Sequence, residues 1–271
     1  MFSFKTTGSK HSYLGAAIAL GVSVFAFPKA WSQLSEHEDM PLAETQSIIY
    51  EETFEGKSPF STAHSIEIAT EHAFKVVPKP GYPTDRAARF ELRESDPMVK
   101  RGTRAEVVIV KGEEGHIGRD TWYAFDIFLP SDDFEDEEDT DLINQWHQDG
   151  FATTSIRVKN GKFQLKTGAS NKDMRTFDLG AAEKDKWHNF VIHFIHSNDK
   201  DGLIDLWLNS EKVLSYIGGN MYRGRLPKWK IGIYKSTWNE SKTNTDLRVL
   251  YYDNIRVASG SLLPEVASAG K

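Results

Sequence analysis

Leu142-Ile143-Asn144-Gln145-Trp146-His147 interleaves apolar and polar side chains and includes an aromatic, the pattern of a β-strand. Residues two apart in a strand share a face, so Gln145 and His147 point one way and Asn144 and Trp146 the other. An amide beside an imidazole suits a ligand that bears a carboxylate. The amide can hydrogen-bond the carboxylate, and the imidazole can take a proton. On this stretch alone, a strand with polar residues on its solvent face is an equal reading.

The surrounding chain has the same character. Short β runs are separated by Gly, Pro, Asn and Asp: Ile48–Phe54, Ile66–Ala69, Ala73–Val77, Ala87–Leu92, Arg104–Val110 and Trp122–Leu129 come before the stretch. Thr153–Val158, Lys162–Thr167, Trp187–His196, Ile204–Leu208, Lys212–Tyr216, Trp229–Lys235 and Leu247–Val257 follow it. Such spacing, without a sustained helical period or an internal repeat, predicts an all-β antiparallel sandwich or barrel. Three hairpin turns are legible, at Lys159-Asn160-Gly161, Asp199-Lys200-Asp201-Gly202 and Asn209-Ser210-Glu211.

The ends read differently. Lys5 and Lys10 precede an apolar run from Leu14 to Phe27, and Ala30-Trp31-Ser32 places small residues before a cut at Gln33. Residues 1–32 are therefore expected to be a secretory signal peptide, which implies a secreted or periplasmic protein. The run is shorter than the ~20 residues of a membrane span, although an uncleaved anchor is the alternative. Residues 33–46 are polar and aperiodic, as in a linker, and residues 261–271 are expected to be a flexible tail. The whole chain carries a net charge of −6, and losing Lys5, Lys10 and Lys29 with no acid takes it to −6 − 3 = −9. That charge gives no broad attraction to nucleic acid or anionic membranes. With no cysteine, disulfides and thiol chemistry are excluded.

Asp132–Asp141 (DDFEDEEDTD) is dense in acids and predicts a solvated loop, with a calcium loop as the functional alternative. Asp253-Asn254 also leaves room for a structural calcium ion. No cofactor is otherwise required. Strand alternation separates His193 from His188 and His196, so no metal site is expected there.

Two further strands have polar faces backed by apolar ones. Arg104 and Glu106 share one face, with Ala105, Val107 and Ile109 opposite. Lys230, Gly232 and Tyr234 share another, with Ile231 and Ile233 turned to the core, and the glycine is read as leaving space above the sheet. Each strand alone could carry a surface ion pair or an exposed aromatic. Three together point to a site.

Arg104-x-Glu106, Gln145-x-His147 and Lys230-x-x-x-Tyr234 occur in an order that resembles the R-x-E, Q-x-H and Y-F-K-A-G-x-Y motifs of jelly-roll alginate lyases. Arg89-Phe90-Glu91-Leu92-Arg93, Trp122-Tyr123, Ile143–His147 and Lys230–Lys235 look closer still to the heparin-lyase-I-like and glucuronan lyase group. Val108 stands where the alginate lyase motif has a second arginine, and Trp229 replaces an aromatic pair before the lysine. The resemblance covers about residues 47–258. It implies a β-jelly roll of the concanavalin A-like kind over 47–260, acting as a monomer on an anionic polysaccharide. Glucuronan or alginate is expected ahead of heparin, because heparin demands a strongly basic groove, whereas the chain is acidic and few lysines flank the motifs.

The resemblance also implies β-elimination at a 4-O-linked uronate, and the chemistry of the residues agrees. Abstraction of the C5 proton builds a dianionic enolate, whose charge must be offset. Arg104 and Gln145 could do so, with Asn144 joining if its strand is bulged. His147 or Tyr234 is the base, and Tyr234 the acid to O4. In glucuronate and mannuronate the proton and O4 leave from one side, so Tyr234 could serve both roles. In guluronate and iduronate they leave from opposite sides, which favours His147 as base. Lys230 could hold Tyr234 as phenolate or bind a carboxylate, and Arg89 is the reserve candidate for the arginine. Glu106, Asn220, Tyr222 and Trp238 are candidates for the substrate groove. A glycoside hydrolase on the same fold and a non-catalytic carbohydrate-binding module are the competing readings. Hydrolysis needs two carboxyl groups about the bond, yet no strand carries alternating acids and the acids cluster at 132–141. A binding module needs a groove but no base.

Overall fold

The computed structural model describes residues 46–112 and 117–263. The expected signal peptide, the linker up to residue 45 and tail residues 264–271 lie outside them. The described residues form two antiparallel sheets. One contains β1 (Ser47–Glu52), β3 (Phe74–Lys79), β4 (Tyr82–Arg93), β6 (Asp120–Phe128), β11 (Trp187–Ile195), β12 (Leu203–Leu208), β13 (Glu211–Ile217) and β15 (Leu247–Ser259). Its order is β13-β12-β11-β6-β15-β4-β3, with β1 also paired to β15. The other contains β2 (Ser65–Glu67), β5 (Arg104–Val110), β7 (Asp141–Gln148), β8 (Phe151–Lys159), β9 (Lys162–Thr167), β10 (Arg175–Ala181) and β14 (Lys228–Tyr234). Its order is β10-β9-β8-β7-β14-β5-β2. The three motif strands β7, β14 and β5 are thus adjacent, although β14 comes about eighty residues later in the chain than β7.

Alternation sends Ala105, Val107, Trp146, Ile156, Trp229, Ile231 and Ile233 of this second sheet into a shared core. There they meet Tyr123, Phe125, Phe190, Phe194 and Tyr252 of the first sheet. Tyr123 packs edge-on to Trp146 with ring centroids 5.2 Å apart, and Phe125 stacks on Phe190 at 4.9 Å. Aromatic pairs of this kind add about 0.5–1.5 kcal/mol beyond area burial. The layer fixes the height of β7 and β14, and so of the polar residues on their far side.

The expected hairpins are present. Asn160 and Asn209 have φ of 50° and 53°, the left-handed values that two-residue turns require. A further turn at Asp149-Gly150 joins β7 to β8, with φ of 47° and 91°. β10 was not expected. Its sequence RTFDLGA buries only Leu179, so it lacks an apolar alternation.

The acidic segment departs from its expected character. Asp132, Glu135, Asp136 and Glu138 are exposed, but Glu137 and Asp141 are buried. Both bind Lys235 and Arg248: Lys235 Nζ lies 3.0 Å from Asp141 Oδ1, and Arg248 Nε lies 3.0 Å from Asp141 Oδ2. Two acids and two bases neutralise one another, which charge density along the chain does not reveal. The quartet ties the segment to the residue that follows β14. Asp253 accepts a hydrogen bond from Lys79 at 2.5 Å, and Asn254 donates to Asp126 at 2.7 Å. Among the described residues no group of three or more His, Asp or Glu side chains is placed to hold a metal ion.

Candidate active site

Arg104, Gln145, His147 and Tyr234 line one cleft of about 440 Å³ on the outer face of the second sheet. Strand register brings them there. Tyr234 pairs with Arg104 on β5 and with Leu142 on β7, while Lys230 pairs with Gln145 and Lys228 with His147. The Arg104 guanidinium lies 4.5 Å from the centre of the Tyr234 ring, within cation–π range.

The floor beneath them is a buried charge network. Arg104 Nη1 donates to Glu106 at 2.9 Å and to Glu67 at 3.4 Å. Lys230 Nζ donates to Glu67 at 2.6 Å and to Glu106 at 3.4 Å, and Lys100 donates to Glu67 at 2.7 Å. The Gln145 amide donates to the other oxygen of Glu106. Burial would push Glu67 up, but the hydrogen bonds from Lys100 and Lys230 bring it down to about 2. Two carboxylates therefore hold three cations and an amide in place, an excess of positive charge below the cleft.

That charge acts on His147. Burial first, then Lys230, Lys228 and Arg104, push its pKa down to about 3, so the ring is neutral near neutral pH. Its buried Nδ1 has no hydrogen-bond partner. The neutral ring keeps one nitrogen without a proton, the state a general base starts from.

Several expectations are corrected. Lys230 does not reach Tyr234 or a ligand. It is 1% exposed and gives its hydrogen bonds to Glu67 and Glu106, because a buried ammonium is stabilised more by carboxylates than by a phenol. Asn144 turns into the core and accepts from Trp229 Nε1 at 2.9 Å. The β7–β8 register shifts beside it without turning it outward. Arg89 lies on β4 of the opposite sheet, between core residues Ala88 and Phe90, and pairs with Glu91 at 2.5 Å. Its R-x-E is a largely buried ion pair on the sheet opposite the cleft. Gly232 is required by its backbone: at φ +123° an added Cβ would stand 2.1 Å from the Ala105 carbonyl oxygen. Strand bulging explains this glycine better than space for a ligand.

Glu106 belongs to the floor and not to the groove surface, being 2% exposed. Asn220 is fully buried. It donates to the Ile195 and Leu203 carbonyls at 2.9 and 3.2 Å, which makes it a loop anchor. Trp238 is buried and donates to Thr243 at 3.0 Å, an anchor of the same kind. Tyr222 alone of these reaches the cleft margin, donating to the cleft residue Asn171 at 2.5 Å.

Sequence reading missed several residues that the fold brings in. Glu67 comes from a strand of only three residues. Asn239 sits in a short 3-10 turn, and its Nδ2 donates to the Tyr234 hydroxyl at 3.2 Å. Arg157 and Lys166 line the cleft from β8 and β9. Lys111, Arg225 and Lys228 line an adjoining cavity of about 310 Å³ that shares His147 and Gly150 with the first. The groove is thus locally basic in an acidic chain, where global charge suggested few cations. The alternation Ser155-x-Arg157 could have signalled Arg157. No sequence signal marks Asn239.

The sheets and the groove define a β-jelly roll with an ionisable, cation-rich face. The family model described as polysaccharide lyase matches residues 50–256, and the chain belongs to that family. Among solved structures, the endo-beta-1,4-glucuronan lyase from the fungus Trichoderma reesei superposes with a TM-score of 0.67 at 15% identity, covering 79% of this chain and 96% of that one. The binding domain of Paraclostridial Mosquitocidal Protein 1 gives 0.53 at 13% identity, covering 80% and 49%. The botulinum neurotoxin serotype D ligand binding domain, in complex with N-acetylneuraminic acid, gives 0.52 at 14%, covering 80% and 48%. The chain spans about half the length of these two toxin chains. At such identities the likeness is one of fold. No curated protein sequence matches the chain.

Proposed function

We propose that this polysaccharide lyase cleaves a β-1,4-linked polyuronate, glucuronan or alginate, by β-elimination. The observation that carries the reading is the convergence of Arg104, Gln145, His147 and Tyr234 on one cleft over a positively charged floor. Arg104 and Gln145 offset the charge that develops on the uronate carboxylate when C5 loses its proton. Tyr234 protonates O4 as it leaves, and on a substrate whose proton and O4 depart from one side it also takes the C5 proton. His147 is the base where they depart from opposite sides. The name of the fungal structural neighbour supports glucuronan. The basic groove supports an anionic polymer of some kind.

Incubation with glucuronan, alginate and heparin in parallel, followed by ultraviolet absorbance of the unsaturated product, tests the reading. Fastest absorbance growth on glucuronan or alginate is expected. Faster cleavage of heparin overturns the substrate choice, and cleavage without an unsaturated product overturns the elimination. We further propose export, with removal of residues 1–32. Sequencing the N-terminus of protein recovered outside the cytoplasm should begin at Gln33.

A further inference from the structure

We propose that Arg157 and Lys166 form a second carboxylate-binding subsite, which holds a uronate neighbouring the one that reacts. The proposal rests on the groove reading above and adds to it a residue pair and a requirement on the substrate. Arg157 lies on β8 opposite Leu142, and Leu142 in turn lies opposite Tyr234. Two strand spacings, roughly 10 Å, therefore separate the Arg157 and Tyr234 backbones. Lys166 stands on β9 opposite Ser155, diagonal to Arg157 on the same face. Diagonal neighbours on one sheet face are within reach of long side chains.

The pair is unusual in being unbalanced. Arg104 and Lys230, on the floor of the same groove, are paired with Glu67 and Glu106. Among the described residues neither Arg157 nor Lys166 has a carboxylate partner. Ser155 Oγ accepts from Arg157 Nε at 2.7 Å, which fixes the guanidinium without neutralising it. Burial pushes Arg157 down to about 10, and burial together with Arg157 lowers Lys166. Two like charges set side by side and partly shielded from water destabilise the free protein, and an anion bound between them offsets that cost. The ligand must carry that anion at a fixed distance from the reacting carboxylate, as a polyuronate does and a neutral glycan does not. A guanidinium that lines the cleft also suits the planar carboxylate geometrically.

The test uses the full protein and the variants Arg157→Gln and Lys166→Met. Calorimetric binding is measured with a polyuronate and with the same polymer after its carboxylates are reduced to alcohols, and steady-state cleavage is measured alongside. Each variant should bind the polyuronate about tenfold or more weakly, since a hydrogen bond to a charged group is lost. KM should rise with kcat nearly unchanged, and the reduced polymer should not discriminate between variant and wild type. Because each change relieves repulsion, the melting temperature should stay level or rise, whereas loss of a merely structural residue would lower it. Wild-type affinity and KM in both variants overturn the subsite while leaving elimination intact. Wild type that binds the polyuronate in an Arg157-dependent way without cleaving it leaves the subsite standing and removes the lyase chemistry proposed above.

Discussion

Asn239 holds the Tyr234 hydroxyl: its Nδ2 donates to the phenol oxygen at 3.2 Å, while its Oδ1 accepts the Thr103 N–H at 2.7 Å. The same amide therefore anchors the loop before β5 and orients the proposed catalytic group at the end of β14. Asn239→Asp keeps the acceptor for Thr103 and removes the donor to Tyr234. A single neutral hydrogen bond is worth about 0.5–1.5 kcal/mol. We expect kcat to fall at least about threefold, with KM and melting temperature close to wild type. Unchanged kcat would show that Asn239 is only a loop anchor.

Tyr234→Phe preserves the ring that stacks beneath Arg104 and deletes the hydroxyl. A general acid or base contributes ~10²–10⁴-fold in rate, so a loss of at least about a hundredfold in kcat is expected. Substrate binding should hardly change, because the phenol acts mainly in the transition state. His147→Ala should be as severe for a substrate that reacts from opposite sides and milder for glucuronan. A folded Tyr234→Phe protein with more than about a tenth of wild-type kcat, well short of that loss, means that another group protonates O4.

Gly102 packs against both members of the Arg104–Tyr234 pair. A Cβ there would stand 2.5 Å from Arg104 Nη2 and 2.7 Å from Tyr234 Cε2. Gly102→Ala must displace one or both, and a shift of about 1 Å can cost on the order of a hundredfold in rate. The expected result is a tenfold or greater loss of kcat/KM in a protein that still folds. Full activity would show that the cleft tolerates such movement.

Stability should weaken in acid. His196 is fully buried and pushed down to about 3 by burial, and His147 reaches about 3 for the reasons given above. Unfolded histidine binds its proton near pH 6.5, so between that pH and about 3 the unfolded state holds more protons than the folded one. Folding stability then falls as pH drops through this window, chiefly through His196. His147, being partly exposed, adds a smaller share. Denaturant titrations at pH 7, 6 and 5 measure the slope, and a flat profile would contradict it. In the free enzyme His147 stays neutral across the same range, so kcat/KM should show no titration with a midpoint near 6.5.

The sheet architecture was legible because alternation along β5, β7 and β14 reports which side chains enter the core. The same alternation placed Arg104, Gln145, His147 and Tyr234 on one face. It could not distinguish a side chain on the groove surface from one in the floor beneath it. Lys230 and Glu106 were read as contacts for a substrate, yet both are consumed by Glu67 and Arg104. Glu67 itself lies well over a hundred residues from Lys230, and long-range pairing of this kind leaves no periodic trace. The acidic run failed for the same reason. Its density was visible, but the partners Lys235 and Arg248 come from the other end of the chain.

Lys230 separates floor from surface experimentally. If it bound substrate, Lys230→Met would raise KM and leave stability untouched. In the structure it is the closest cation to Glu67 Oε2, at 2.6 Å, and is 1% exposed. Removing it strands part of a buried carboxylate's charge, a change that typically costs about 3–5 kcal/mol. Lys230→Met should therefore lose about 3 kcal/mol of folding stability in denaturant titration. Lys100 and Arg104 still face Glu67 and keep the loss near the lower end of that range. Adding Glu67→Gln to Lys230→Met removes the stranded charge and should recover a large part of the loss. Recovery of both stability and activity in the double variant would show that the Glu67–Lys230 pair supports the cleft without touching the substrate. Wild-type stability in Lys230→Met would place the lysine on the groove surface after all.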